Sequence, residues 1–106
     1  MGIDLIWEED CGTELARLND PQSVMQKWLP PESALEFLNL RFIDPYGDTI
    51  FNTLQLPMLL QELKSCRSNS LEAKVADHLS KAIALVAGAQ GFTHTYVRFI
   101  GDHSSD

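Results

Sequence analysis

The strongest structural signal in the sequence is an apolar stripe with helical spacing in the second half of the chain. Side chains three and four positions apart lie on one face of an α-helix, so this stripe predicts a long amphipathic helix with one face buried. Asn69, with Glu72 three residues later, resembles a capping box at its start, and Gly88 and Gly91 supply stop signals. The stripe consists of Leu71, Val75, Leu79, Ala82, Ile83 and Val86.

Alternation of side chains predicts strands on both sides of this helix, over residues 3–7, 36–43, 49–52 and 92–100. Asp20 and Pro21 predict the start of a short helix, with Asp20 as N-cap and proline at the first helical position. Pro57 can open a second helix, which carries leucines at i, i+3, i+4 and i+7. The polar stretch Asp44-Pro45-Tyr46-Gly47-Asp48 predicts a turn that joins two strands as a hairpin.

These elements follow one another in the order β-α-β-β-α-α-β. Residues 1–106 are enough for a single small domain, and at 44% hydrophobic residues the chain can bury a core without disulfides. We therefore expect an α+β fold, or an open α/β fold, of about four strands with the helices packed on one face of the sheet.

The tripeptide Arg-Phe-Ile occurs twice, at residues 41–43 and 98–100, and an aspartate follows each copy within two residues. Both copies lie in segments that alternate like strands, and aspartate favours the turn that ends a strand. We interpret the repeat as two strands with a common need for large apolar side chains, since nothing around the match indicates internal duplication.

Negative charge is concentrated at the start of the chain. The net charge is −7, and residues 1–48 hold ten acids and three bases, whereas residues 49–106 hold five of each. Such a field disfavours nucleic acids and anionic membranes and steers basic partners inward. A simpler interpretation is that the acidity keeps a small bacterial-type protein soluble.

The sequence contains no pattern that indicates catalysis, a metal or a cofactor. Cys66 falls near a predicted helix end, where the dipole raises a thiol pKa, and Cys11 follows three acids, which also oppose a thiolate. His78, His94 and His103 are scattered and form no metal-binding spacing. With two cysteines, no secretion signal and no membrane-spanning apolar run, we expect a cytoplasmic protein that is not an enzyme.

In general character the chain resembles bacterial toxin-immunity proteins, which are acidic α/β proteins of about this size; no motif carries the resemblance. It implies an inhibitor that occludes the active cleft of a basic partner such as a toxin nuclease. Acidic side chains would steer the encounter and exposed aromatics would dock, Tyr46 foremost because it lies on a turn between two acids. The expected contact residues are Trp7, Glu8, Glu9, Asp10, Glu14, Asp44, Tyr46, Asp48 and Asp102.

Two other functions fit the same sequence. His94, Tyr96 and Arg98 share one face of the last predicted strand and could line a pocket between sheet and helices, as in a small-molecule-binding domain or a small enzyme. The chain could also be an adaptor or a homodimer that joins through an exposed strand edge.

Overall fold

In the computed structural model, which describes residues 2–68 and 72–101, two antiparallel strands form the centre of one four-stranded sheet. These central strands are β1 (Asp4–Glu9) and β4 (Thr95–Ile100), and they pair along their whole length. An edge strand pairs antiparallel with each of them, so the spatial order is β2-β1-β4-β3. The edge strands are β2 (Glu14–Leu18) and β3 (Asp48–Asn52).

Three helices pack on one face of this sheet. They are α1 (Met25–Trp28), α2 (Leu56–Ser68) and α3 (Ala73–Ala89). The long helix α3 contacts β1, β2 and β4, and both of the other helices contact α3. In the described residues no helix combines the length and the apolar character that crossing a bilayer requires.

The core lies between the sheet and α2 and α3. Side chains alternate along a strand, so Leu5, Val97 and Phe99 point together towards the helices, and all three are fully buried. Phe51 on β3 meets Phe99 edge to face, with ring centroids 5.7 Å apart. From the helices the core receives Leu59, Leu63, Val75, Leu79, Ala82 and Val86. Each large buried side chain contributes about 1.5–3 kcal/mol to folding.

The predicted fold class is confirmed: the chain is a small single α+β domain with four strands and with helices over one face of the sheet. The two predicted long helices and the first and last strands lie where the periodicity placed them. The last strand is shorter than predicted and begins at Thr95, because His94 has a φ of +60° that interrupts the extended chain.

The strand predicted over residues 36–43 is wrong, and a strand that was not predicted lies at Glu14–Leu18, before α1. The chain reverses after β1 through Gly12, whose φ of +99° suits glycine, and β2 then pairs with β1. Residues 36–43 instead form turns and a 3₁₀ helix, Leu40–Phe42. The turn at residues 44–47 is present, but it does not close the expected hairpin because no strand precedes it.

A buried carboxylate, that of Asp20, joins the start of β1 to the start of α1. The helix begins at Met25, later than predicted, yet Asp20 still accepts the N–H groups that precede and open it: Val24 at 2.6 Å and Met25 at 3.1 Å. It also accepts the N–H of Ile3 at 3.2 Å, and Asp20 is only 1% exposed. A Cβ at Gly2 would collide with the Asp20 carbonyl, so only glycine fits this approach.

We expect Asp20→Ala to lower the free energy of unfolding by about 3 kcal/mol or more, because it leaves three buried N–H groups without their charged acceptor. Urea denaturation followed by circular dichroism measures the loss. Asp77→Ala is the matched control, since the Asp77 side chain is 68% exposed and its one ion pair with a described residue is to Lys81 on the same helix. Equal losses in the two variants would contradict this role for Asp20.

Candidate protein-docking surface

The acidic residues predicted to bind a partner are divided between opposite ends of the sheet. Glu9 pairs with Thr95 at the end that carries the β1–β2 turn, whereas Asp48 pairs with Ile100 at the other end. A six-residue strand is roughly 17 Å long, so these two groups of acids do not share one rim. Asp102 lies outside the described residues.

Four acids of the sheet share two arginines of the same chain, so these pairs offset about half of their charge. On the face of the sheet away from the helices, Arg98 lies 2.9 Å from a Glu8 carboxylate oxygen and 3.2 Å from one of Asp48. Glu14 pairs with Arg17 at 2.9 Å. Glu8 is only 4% exposed, which leaves its carboxylate little surface to offer a partner.

At the β1–β2 turn, Asp10 lies 3.6 Å from His94, and both side chains are largely exposed. The thiol of Cys11 lies 4.0 Å from a Glu9 carboxylate oxygen. The indole of Trp7 packs against the ring of Phe92 at 5.2 Å and borders the core. This end of the sheet therefore offers exposed acids but no exposed aromatic anchor from Trp7.

Tyr46 lies at the other end of the sheet, and its expected exposure is confirmed at 75%. Its N–H donates to the Asp44 carboxylate at 2.8 Å, which fixes the turn on which it lies. The turn is joined to β4, because the Gly101 N–H donates to the Gly47 carbonyl at 2.7 Å. A Cβ on Gly101 would come within 2.6 Å of Pro45, so the close approach requires glycine.

A groove of about 530 Å³ opens beside Tyr46. The residues that line it include Pro30, Pro31, Phe42 and Tyr46. Arg41 lies over the Phe42 ring, 4.2 Å from its centroid, and donates to the Glu32 carbonyl at 2.8 Å. The volume falls within the range of about 300–1,000 Å³ that is usual for ligand sites.

The irregular segment of residues 29–47, which we call the docking segment, exposes several large apolar side chains. The exposed fractions are 68% for Leu35, 56% for Leu38 and 57% for Phe42, in addition to Tyr46. A second cleft, of about 340 Å³, is lined by Leu38 and by Met58 of α2, and Met58 is itself 49% exposed. Clustered exposed apolar side chains rimmed by polar residues are typical of interaction sites.

The same docking segment carries three acids that lack a cationic partner. Among the described residues, Glu32, Glu36 and Asp44 form no ion pair. Acids without an ion pair and exposed apolar side chains therefore occur together on this segment.

A buried carboxylate also holds the docking segment in place. Glu62 of α2 is 7% exposed and accepts the N–H groups of Asn39 at 3.1 Å and of Leu40 at 2.9 Å. The Asn39 side-chain amide donates to the same carboxylate at 2.9 Å. Leu40 and Ile43 anchor the segment in the core, so its outward side chains are presented by a fixed backbone.

The residues proposed for a small-molecule pocket do not come together between the sheet and the helices. Tyr96 and Arg98 alternate with the buried Val97 and Phe99, so they point to the opposite face. A hydrogen bond to Glu8 is the main cause that raises the pKa of Tyr96. His94 precedes β4 and its side chain is 84% exposed. The alternative of a sheet–helix pocket therefore loses these residues.

A smaller pocket, of about 190 Å³, contains a buried histidine beside a carboxylate. His78 Nδ1 accepts the indole N–H of Trp28 at 3.2 Å, which assigns the imidazole proton to Nε2, and Nε2 faces Asp20 at 3.7 Å. Neither ring nitrogen presents a free lone pair to the pocket, so this geometry fastens α1 to α3 and does not form a general base. In the described part of the chain no three His, Cys, Asp or Glu side chains are grouped to hold a metal ion.

The sequence analysis did not predict that the apolar residues of the docking segment are exposed. It placed residues 36–43 in a strand, and alternate side chains of such a strand would be buried in the core. The signal that could have found them is Pro30-Pro31, which separates the segment from α1, followed by acids interspersed among large apolar residues. No family model, curated protein or solved structure matches the chain, so the geometry of this surface is what bears on its function.

The two thiols should differ sharply in reactivity. Burial is the main cause that raises the pKa of Cys66 to about 11, with nearby Glu62 adding to it, whereas Cys11 is exposed. We expect the native protein at pH 8 to react quickly with one equivalent of Ellman's reagent, and with a second only in denaturant. Cys11→Ser should abolish the fast phase and Cys66→Ala should retain it; two fast thiols in the native protein would contradict the prediction.

Acid should destabilise the fold through His78. Burial lowers its pKa, outweighing the opposite effect of Asp20, so the folded protein resists a proton that the unfolded chain accepts near pH 6.5. Stability should therefore fall as the pH drops below about 6.5 and continue to fall until the lowered pKa is reached. Urea midpoints at pH 7.5 and 5.5 measure this, with a smaller difference expected in His78→Gln and an unchanged one in His94→Gln.

Proposed function

We propose that the chain is a protein-binding module that docks a basic partner through the docking segment. The observation that carries this proposal is that unpaired acids and exposed apolar side chains coincide on one firmly held irregular segment. Binding residues are commonly found on loops that a rigid scaffold positions. The described part of the chain contains no comparable arrangement of reactive side chains that would favour catalysis.

Binding of this kind needs two contributions, and the docking segment can supply both. The unpaired carboxylates of Glu32, Glu36 and Asp44 would raise the association rate of a cationic partner. Tyr46 and Phe42 would then lose their exposed apolar area in the contact, as interface hot spots do. Tyr46 is the better anchor, because Arg41 already covers one face of Phe42.

A toxin inhibitor is the specific form of this function that we propose, with a nuclease as the partner that fits best. A nuclease must attract phosphates and therefore carries a basic cleft. An acidic, apolar surface on a small cytoplasmic protein can cover such a cleft sterically and compete for the same positive charges. The acidic character of the chain and its resemblance in type to immunity proteins support this form of the proposal.

A homodimer joined through strand edges has less support. The Asn52 N–H on the edge strand β3 is satisfied by the Gln55 side chain at 2.9 Å. A register shift between Trp7 and Glu8 interrupts the pairing of β2 with β1. Occupied edge groups and bulges are devices that oppose sheet extension.

The test uses a photocrosslinking residue, p-benzoylphenylalanine, in place of Tyr46, with the same substitution at Ala87, which is exposed on α3, as control. Irradiation in lysate of the producing cells should crosslink the variant with the photoreactive residue at position 46 to one basic protein. The variant with the same residue at position 87 should form no such crosslink. The purified partner should lose activity at equimolar inhibitor, with an association rate that falls steeply with salt.

Tyr46→Ala should weaken binding of that partner by roughly 2 kcal/mol, or about 30-fold, as expected for a hot-spot aromatic. Glu32→Lys with Asp44→Lys should slow association, whereas Glu9→Lys with Asp10→Lys should slow it less. Identical crosslinks from positions 46 and 87 would contradict the proposal. So would a partner whose affinity and association rate are unchanged by all these substitutions.

A further inference from the structure

We infer that the groove beside Tyr46 receives the guanidinium of an arginine from the partner. This inference rests on the proposed docking function and adds the chemistry of the anchor. It is drawn from the groove's aromatic rings, its uncompensated charge and the geometry of the turn at its mouth.

The groove already contains one guanidinium stacked on an aromatic ring. The Arg41 guanidinium lies 4.2 Å from the centre of the Phe42 ring, an arrangement typical of a cation–π contact. The ring of Tyr46 lines the same groove, is 75% exposed and contacts no other ring or cation in the described residues. Tyr46 therefore offers a second site of the same kind, open to a side chain from outside.

The charge of the groove favours a cation. The residues that line it include two acids, Glu32 and Asp44, and neither forms an ion pair in the described structure. The one cation that lines the groove, Arg41, directs a guanidinium N–H to the Glu32 carbonyl and not to either carboxylate. Two carboxylates thus remain against one committed guanidinium, which gives the groove a net negative charge.

The turn that borders the groove leaves one oxygen of Asp44 without a hydrogen bond from a described residue. Oδ1 accepts the Tyr46 N–H at 2.8 Å, while Oδ2 accepts no hydrogen bond from a described residue. A Cβ at position 47 would come within 2.7 Å of Oδ2, so Gly47 keeps the space beside this oxygen clear. Asp44 and Tyr46 line the same groove, which therefore offers a cation both an acceptor and an aromatic side chain.

Arginine suits this groove better than lysine does. A guanidinium is planar and weakly hydrated, so it stacks on an aromatic face while its edge donates to a carboxylate. The groove's volume of about 530 Å³ leaves room for such a side chain and for its flanking backbone. An apolar anchor would leave Asp44 and Glu32 uncompensated at a closed interface, which is costly.

The probe is N-acetyl-arginine-N′-methylamide, titrated at millimolar concentration into the ¹⁵N-labelled full chain and followed by amide chemical shifts. We expect saturable shifts confined to residues such as Glu32, Tyr46 and Gly47. The corresponding norleucine compound should bind at least five-fold more weakly, and the glutamate compound should produce no saturable shift. Raising the salt concentration should weaken arginine binding.

Two sets of variants test the assignment of the carboxylates. Asp44→Asn retains the oxygen that accepts the Tyr46 N–H, so it removes the charge and keeps the turn; combined with Glu32→Gln it should weaken arginine binding at least five-fold. Tyr46→Ala should have a similar effect. Glu9→Gln with Asp10→Asn, at the other end of the sheet, should leave the binding unchanged.

Equal binding of the arginine and norleucine compounds would overturn the inference, as would shifts scattered over all the exposed acids. Its failure can be told apart from failure of the proposed function. A partner that crosslinks to position 46 while arginine leaves the groove unshifted retains the docking function and rejects the anchor. Arginine binding in the groove with no crosslinked protein supports the anchor's chemistry and rejects the docking function.

Discussion

Two buried carboxylates hold the irregular part of the molecule in place. They accept hydrogen bonds from backbone N–H groups, as the carbonyls of a neighbouring strand do within the sheet. Buried backbone N–H groups need acceptors, and in the sheet those acceptors are the carbonyls of the next strand. Around α1 the acceptor is Asp20, and along the docking segment it is Glu62. Because each carboxylate satisfies several donors at once, a segment without regular structure keeps a defined backbone and turns apolar side chains outward.

The two copies of Arg-Phe-Ile show how far local sequence determines structure here. Residues 98–100 lie in β4, which has a strand on each side. Residues 41 and 42 lie in a 3₁₀ helix and residue 43 is extended, next to the Leu40 N–H that the Glu62 carboxylate accepts. Periodicity and turn residues were enough to predict the long helices, the central strands and the turn at Asp44. The reach of Glu62 across 23 positions to Asn39 has no local signal, so the strand predicted there could not be corrected from sequence.

The candidate surface was predictable only in part, for a related reason. Residue counts located the acidic excess before Thr49 but could not reveal which acids form ion pairs within the chain. Strand pairing brings Arg98 to Glu8 and Asp48, and it brings Arg17 to Asp4. Tyr46 could be predicted as exposed because turn residues lie at the surface, whereas the apolar side chains of the docking segment required the three-dimensional arrangement.

The bond between Gly101 and Gly47 bears on the thermodynamics of recognition. It links the turn that carries Tyr46 to β4, which lies between two other strands. A flexible loop loses conformational entropy when it binds a partner, and that loss lowers the affinity. In this protein the turn that carries Tyr46 is ordered during folding, and the interactions of the whole sheet offset the entropy that the turn loses. A partner that meets Tyr46 therefore meets a preorganised aromatic, and association retains a larger share of the contact energy.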